Sequence, residues 1–170
     1  MISPDLRAWR RFAPLALALL AGWQLGCSQQ ITPPPLPPTS ALDLEQPMPA
    51  AGESALRIAS IGQSGEPVQV EVPSTARVGQ SVPVAVTTYS GGCISDDTTA
   101  VDVHPHLANV VPYQRVYQPK QNEACTMELR VNRRQVDLVF TEPGPATVIV
   151  YGRSYPGGGL TMVTRQLVVE

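Results

Sequence analysis

The chain is poor in the residues from which catalytic sites are built. It contains two histidines and three cysteines among its 170 residues, and charged residues make up 15% of it. It has no P-loop and no Gly-x-Ser-x-Gly nucleophile elbow, and the stretch Gly62-Gln63-Ser64-Gly65 lacks the last glycine of a dinucleotide fingerprint. No pair of carboxylates lies on matched elements, as general acid and base catalysis would need. We therefore expect a protein that is not an enzyme and that carries no cofactor.

Clusters of basic residues are also missing. The whole chain has 12 basic and 14 acidic residues, a net charge of −2, and from residue 28 onward the counts are 9 and 13, a net charge of −4. The only adjacent basic pair in that part is Arg133-Arg134, which we expect in an exposed turn. Because binding to nucleic acid needs clustered Lys and Arg, we expect no nucleic-acid partner.

The first 26 residues have the pattern of a secretory signal peptide. A basic segment with Arg7, Arg10 and Arg11 precedes an apolar run from Phe12 to Leu25. A helix that spans a bilayer needs about 20 apolar residues, and this run is shorter and contains proline. We therefore predict that residues 1–26 are removed after export.

The sequence Leu25-Gly26-Cys27-Ser28 resembles the lipobox of bacterial lipoproteins. Gly26 matches the small residue before the family's invariant cysteine, which Cys27 matches, whereas Gln24 stands where the family usually has an aliphatic residue. The resemblance implies that the Cys27 thiol receives a diacylglycerol and that the new amino group is acylated by a fatty acid such as palmitate. Two or three acyl chains make a stable membrane anchor.

The residue after the cysteine implies a location within the cell envelope. Ser28 follows Cys27 where an aspartate would otherwise stand, and by the sorting rule of Gram-negative lipoproteins this implies the outer membrane. The alternative interpretation is an ordinary cleaved signal that leaves Cys27 as a free thiol, or an uncleaved helix. We expect a chain that is anchored to the membrane through lipid.

Residues 27–54 are predicted to form a lipid-anchored, Pro-rich disordered tether. Seven of the 18 prolines fall between residues 28 and 54, and this segment has no apolar period. Its proline-dense half favours extended polyproline II, a semi-rigid spacer. Docking of Pro34–Pro38 into an SH3-like partner is the alternative reading of the same residues.

Residues 55–170 are predicted to form one all-β domain. Apolar residues alternate with polar ones, the period of half-buried strands, and no window of comparable length has a helical period. The predicted faces are Val68, Val70 and Val72; Val82, Val84 and Val86; Val136, Leu138 and Phe140; Ala146, Val148 and Val150; and Val163, Leu167 and Val169. Turn residues occur in Pro73–Gly79, Asn132-Arg133, Glu142–Gly144 and Pro156–Gly159. We predict a single antiparallel β-sandwich of seven or eight strands.

Two stretches resemble bacterial immunoglobulin-like domains. In residues 73–84, Val78-Gly79 precedes a valine-alternating strand, as at the first-to-second strand passage of that family. In residues 140–150, Pro143-Gly144 leads into a second apolar strand, as at a later corner of the family. The resemblance implies an immunoglobulin-like sandwich, although neither remaining cysteine matches the family's usual inter-sheet pair.

Cys93 and Cys125 are predicted to form a disulfide. Export places them in an oxidising compartment, and lipidation of Cys27 leaves them as the only pair. We expect the bridge to fasten residues 96–120, which have few alternating apolar residues, to the domain. A reactive thiol or a metal ligand is the alternative, without a Cys-x-x-Cys motif to support it.

A metal site is the second functional hypothesis. Asp102, His104 and His106 alternate and would share one face of a strand, and two histidines with a carboxylate can hold Zn²⁺ or Cu²⁺. Pro105 nevertheless favours a loop, in which these side chains would be solvated.

The favoured functional expectation is a non-catalytic interaction or structural module of the cell envelope, anchored through Cys27. Its partner would be the membrane itself and another envelope protein or polymer. The alternative is a periplasmic metal-handling module that uses His104 and His106. The five tyrosines of the chain are expected in the core and at its rims, with a recognition surface as their alternative role.

Overall fold

The computed structural model describes residues 48–156 and 158–170, and this part of the chain contains strands and no helix. The predicted all-β class is therefore confirmed. The strands are β1 (Ser54–Ile58), β2 (Ser60–Gln63), β3 (Val70–Glu71), β4 (Thr75–Ala76), β5 (Ser81–Ser90), β6 (Ile94–His104), β7 (Leu107–Tyr117), β8 (Arg130–Val139), β9 (Gly144–Tyr155) and β10 (Leu160–Val169). The signal peptide, Cys27 and most of the predicted tether lie outside the described residues.

Hydrogen bonds join the first described residues to the sheet. The Gly52 amide donates to the carbonyl oxygen of Gln118 at 2.7 Å, and the Gln118 amide donates to Glu53 at 2.9 Å. The chain then pairs with β7 from Ser54 onward. Among the described residues, no segment forms an apolar helix of the length that crossing a bilayer requires.

The strands form one mixed sheet, so the prediction of a purely antiparallel arrangement is wrong. The path of the sheet is β1-β7-β9-β2-β5-β3, with β6 paired to β7, β8 to β5, and β10 to both β9 and β4. The pairs β7–β9, β2–β9 and β4–β10 are parallel. The described residues form ten strands where seven or eight were predicted, and two of the ten have two residues each.

One apolar core takes alternate side chains from most of these strands. Val82, Val84 and Val86 of β5 meet Leu138 and the adjacent Phe140, and all of them meet the buried faces of β7, β9 and β10. The members from those three strands are Ala108, Val110, Ala146, Val148, Val150, Leu167 and Val169. The predicted faces of β5, β9 and β10 are therefore confirmed, whereas the predicted strand at residues 67–72 shortens to Val70–Glu71.

β7 is central in the sheet although its sequence does not alternate. Ala108 and Val110 point into the main core, while Val111 joins Ile58, Ile149 and Tyr151 in a second cluster on the other face of the sheet. Because both faces of β7 are covered, apolar residues occupy both sets of positions. The prediction that residues 96–120 are an excursion held by a disulfide is therefore wrong: most of them form the β6–β7 hairpin.

Arg133 and Arg134 do not lie in an exposed turn, as was predicted. They stand in the middle of β8, opposite Thr87 and Val86 of β5, in a pairing that runs without a break from Ser81–Val139 to Ser90–Arg130. For the same reason, Asn132-Arg133 does not close a hairpin. The Glu142–Gly144 corner is found as predicted between β8 and β9, and Gly144 has φ +131°, which favours glycine.

Candidate functional site

A groove of about 520 Å³ is the candidate site in the described part of the chain. Such a volume lies in the range that suits a small ligand or a short peptide segment. It is formed by β3, the outer face of β5, the outer face of β8 and one side chain of β10. Its lining residues are Val70, Glu71, Val72, Pro73, Pro83, Ala85, Arg133, Gln135 and Arg165.

Two facing prolines explain why the groove opens here. β3 pairs with β5 through Val70–Val86 and Glu71–Ala85. Continued for two more residues, the same register would bring Pro73 opposite Pro83. Proline has no backbone N–H and cannot continue a ladder of hydrogen bonds. The chain therefore leaves β5 after Glu71, and the gap between the two segments is lined by their apolar side chains.

Two arginines stand at the groove in different states. Arg133 donates from Nη2 to Oε2 of Glu71 at 2.7 Å, and both side chains are exposed. Arg165 donates from Nε to the Val70 carbonyl oxygen at 3.2 Å and from Nη1 to the Thr164 carbonyl oxygen at 3.1 Å. Within the described ranges no carboxylate forms an ion pair with Arg165, so its positive charge is held in place by backbone oxygens alone.

The predicted metal ligands separate into two pairs. His104 Nε2 lies 3.1 Å from Oδ2 of Asp102, and His106 Nε2 lies 3.6 Å from Oε2 of Glu142. Asp102 and His104 lie at the end of β6, His106 lies in the tight turn before β7, and Glu142 lies between β8 and β9. All four side chains are about half exposed. In the described part of the chain, no three His, Cys, Asp or Glu side chains are grouped so that they could hold a metal ion. The structure does not assemble the proposed ligand set.

Cys93 and Cys125 form the predicted disulfide, with their Cα atoms 5.2 Å apart. The bridge joins the β5–β6 turn to the segment between β7 and β8, so it fastens residues 118–129 instead of the predicted 96–120. Glycine at position 91 allows this loop to approach the β5–β6 turn closely, because a Cβ at Gly91 would lie 1.9 Å from the Glu128 carbonyl oxygen. The disulfide therefore anchors a loop whose backbone lies directly against Gly91.

Hydrogen bonds hold the beginning of that loop. The Tyr117 hydroxyl donates to the Glu123 carboxylate, which also accepts the Lys120 amide at 3.1 Å. The bond from Tyr117 lowers the pKa of the Glu123 carboxyl, and the same bond raises the pKa of Tyr117. These groups order the loop and show no arrangement for catalysis.

A polar cluster, missed by sequence reasoning, lies in the interior between β8 and the β6–β7 hairpin. Arg134 donates from Nη1 to the Tyr113 carbonyl oxygen at 2.7 Å and from Nη2 to the Asp97 carbonyl oxygen, and its side chain is 13% exposed. Gln114 donates to the Tyr89 carbonyl oxygen at 2.8 Å. No buried side-chain N or O atom among the described residues lacks a partner. The cluster links β8 to the β6–β7 hairpin and serves the fold.

The tyrosines lie mainly inside the domain, as predicted. Tyr89 and Tyr151 are each 2% exposed, and Tyr113, Tyr117 and Tyr155 are partly buried. Burial raises the pKa of the Tyr151 hydroxyl. No tyrosine lines the groove.

Comparison with known proteins gives no relative: no protein-family model, no curated protein and no solved structure matches this chain significantly. The argument for function therefore rests on the chain's own residues and geometry.

Proposed function

We propose that the protein is a lipid-anchored module of the cell envelope that binds a partner non-catalytically through the groove between β3, β5 and β8. The observation that carries this proposal is the groove itself, a concave surface on a hydrogen-bonded scaffold. Its floor combines apolar side chains with a few polar groups, the composition typical of binding sites. The anchor is supported by Cys27 in its lipobox-like context, and the location would be the outer membrane.

We further propose that the domain is an immunoglobulin-like sandwich in a modified form. One core receives side chains from β5 and β8 on one side and from β7, β9 and β10 on the other, as between two packed sheets. The positions of Val78-Gly79 before β5 and of Pro143-Gly144 at the start of β9 support this proposal. The parallel β7–β9 pair is a departure from a purely antiparallel sandwich.

The groove is well placed for recognition because most of its lining residues come from strands. Glu71, Ala85 and Gln135 lie on β3, β5 and β8, and both β3 and β8 pair with β5. A site on strands holds its groups more precisely than a site on loops. A partner would therefore meet a preformed surface.

The anchor is tested with Cys27→Ala in cells that are fed a labelled fatty acid. The unchanged protein is expected to incorporate label and to fractionate with membranes, whereas the variant should carry no label and leave the membrane fraction or remain uncleaved. The double variant Cys93→Ala/Cys125→Ala is the matched control and should keep its label. Equal labelling of the Cys27→Ala variant would refute lipidation at this residue.

A further inference from the structure

The groove carries an excess of positive charge in a domain that is acidic overall. The described residues contain 9 basic and 11 acidic side chains, a net charge of −2, whereas the groove is lined by two arginines and one glutamate. Outside the groove, acidic side chains neutralise two other arginines: Arg115 pairs with Asp97, and Arg130 pairs with Glu128. Complementarity at the groove therefore favours an anionic ligand.

Arg165 is arranged to receive such a charge. Its Nε and Nη1 atoms are occupied by the carbonyl oxygens of Val70 and Thr164, and no hydrogen bond from its Nη2 to a described residue is found. A guanidinium fixed by backbone oxygens loses little side-chain entropy when it binds, and its planar N–H groups suit a carboxylate. The partly buried side chain thus presents a preorganised positive group at the edge of the groove.

Arg133 adds a second positive group on the other wall. Its partner Glu71 is 72% exposed, so the ion pair is solvated and contributes little to the stability of the fold. The pair nevertheless keeps the Arg133 guanidinium over the groove. Only Nη2 of Arg133 is used in that pair. The remaining N–H groups can donate to a ligand without breaking the pair.

The floor of the groove indicates what accompanies the charge. Val72, Pro73, Pro83 and Ala85 are aliphatic, and the lining contains no aromatic ring on which a sugar or a base could stack. Small aliphatic side chains gain from burial on such a floor. We propose that the groove binds an extended acidic peptide segment, whose carboxylate is held between Arg165 and Arg133 while the aliphatic side chains two positions before and after it, which share its face of the extended chain, lie over Pro73 and Pro83. This inference rests on the proposed binding function of the groove.

The test is a chemical-shift titration of the ¹⁵N-labelled full chain in detergent micelles with three peptides. They are Ac-Val-Ala-Glu-Ala-Val-NH₂ and its analogues with glutamine or lysine in place of glutamate. The glutamate peptide should shift the Nε–H resonance of Arg165 and the amides of Ala85 and Gln135, with an affinity at least tenfold above that of the glutamine peptide. The lysine peptide should bind more weakly than either.

Variants separate the contribution of each arginine. Arg165→Met should reduce the affinity for the glutamate peptide about tenfold, and Arg133→Met provides a second variant at an exposed site that leaves the fold intact. Arg77→Met is the matched control, because Arg77 is exposed and lies outside the groove, and its affinity should equal that of the unchanged protein.

The outcomes distinguish the two proposals. If the glutamine or lysine peptide shifts the same groove resonances as strongly as the glutamate peptide does, the acidic ligand is wrong and the binding groove stands. If no peptide shifts a groove resonance at concentrations up to about 10 mM, or if shifts occur only elsewhere, both proposals are overturned.

Discussion

Removal of the Cys93–Cys125 disulfide is expected to lower the free energy of unfolding by about 2 to 5 kcal/mol. The bridge closes a loop between residues 32 positions apart, for which chain entropy alone accounts for about 3 to 4 kcal/mol. It also fixes residues 118–129, a segment with no strand and with Met127 fully exposed, against Gly91. Urea unfolding of the double variant Cys93→Ala/Cys125→Ala measures this effect.

Reductant provides the control for the disulfide. It should destabilise the unchanged protein by about the same amount as the double substitution does, and it should leave the double variant unaffected. Mass spectrometry of the non-reduced protein should find the two residues bridged. An unchanged urea midpoint in the double variant, or two free thiols in the native protein, would show that the bridge does not hold this loop.

Replacing Arg134 with methionine is expected to cost about 2 to 4 kcal/mol of unfolding free energy. The substitution removes a charged donor from the carbonyl oxygens of Tyr113 and Asp97, and it removes the positive charge 4.0 Å from Oδ1 of Asp96. Because the side chain is only 13% exposed, water replaces these interactions poorly. Thermal or urea unfolding of Arg134→Met measures the loss.

The neighbouring arginine is a matched control for this prediction. Arg133 stands on the opposite face of the same strand, and its pair with Glu71 is exposed, so Arg133→Met should change stability by less than about 1 kcal/mol. Similar stability losses in the two variants would contradict the assignment of Arg134 as an interior link.

The strands that the sequence predicts are those that bury one face in the core and expose the other face to solvent. Val82, Val84 and Val86 occupy every second position of β5, so the core face of β5 follows from their period, although Ala85 on the other face is also buried. β7 escaped prediction because Val110 and Val111 are buried on opposite faces, and a strand covered on both sides does not alternate.

The polar interior and the groove depend on register, which no local pattern contains. Arg134 shares the core face of β8 with Val136 and Leu138, but the turn predicted at Asn132-Arg133 ended the strand before this residue, and its partners across the sheet follow only from the pairing. The groove opens where Pro73 would meet Pro83, ten positions apart in sequence. Both prolines were visible as turn or strand residues, but their juxtaposition requires the β3–β5 pairing.

The Cys93–Cys125 pairing was predictable from the expectation of export and from elimination, although its structural role was not. Two cysteines remain once Cys27 is assigned to lipid, so the pairing has one solution. The loop that the disulfide fastens could be identified only once the β6–β7 hairpin was known. That hairpin was not predicted, because most residues of β6 are exposed and have no apolar period. His104 and His106 are likewise close in sequence, but their side chains contact different carboxylates, those of Asp102 and Glu142.

The most direct test of the central claim is photo-crosslinking in living cells that produce the full chain. A benzophenone amino acid replaces Gln135, which lines the groove, or Gln166, an exposed residue of β10 outside it. The account predicts a light-dependent adduct from position 135 that mass spectrometry identifies as an acidic peptide segment, that weakens with Arg165→Met, and that is absent from position 166. An adduct from position 166 alone, equal adducts from both positions, or none from position 135 would contradict it.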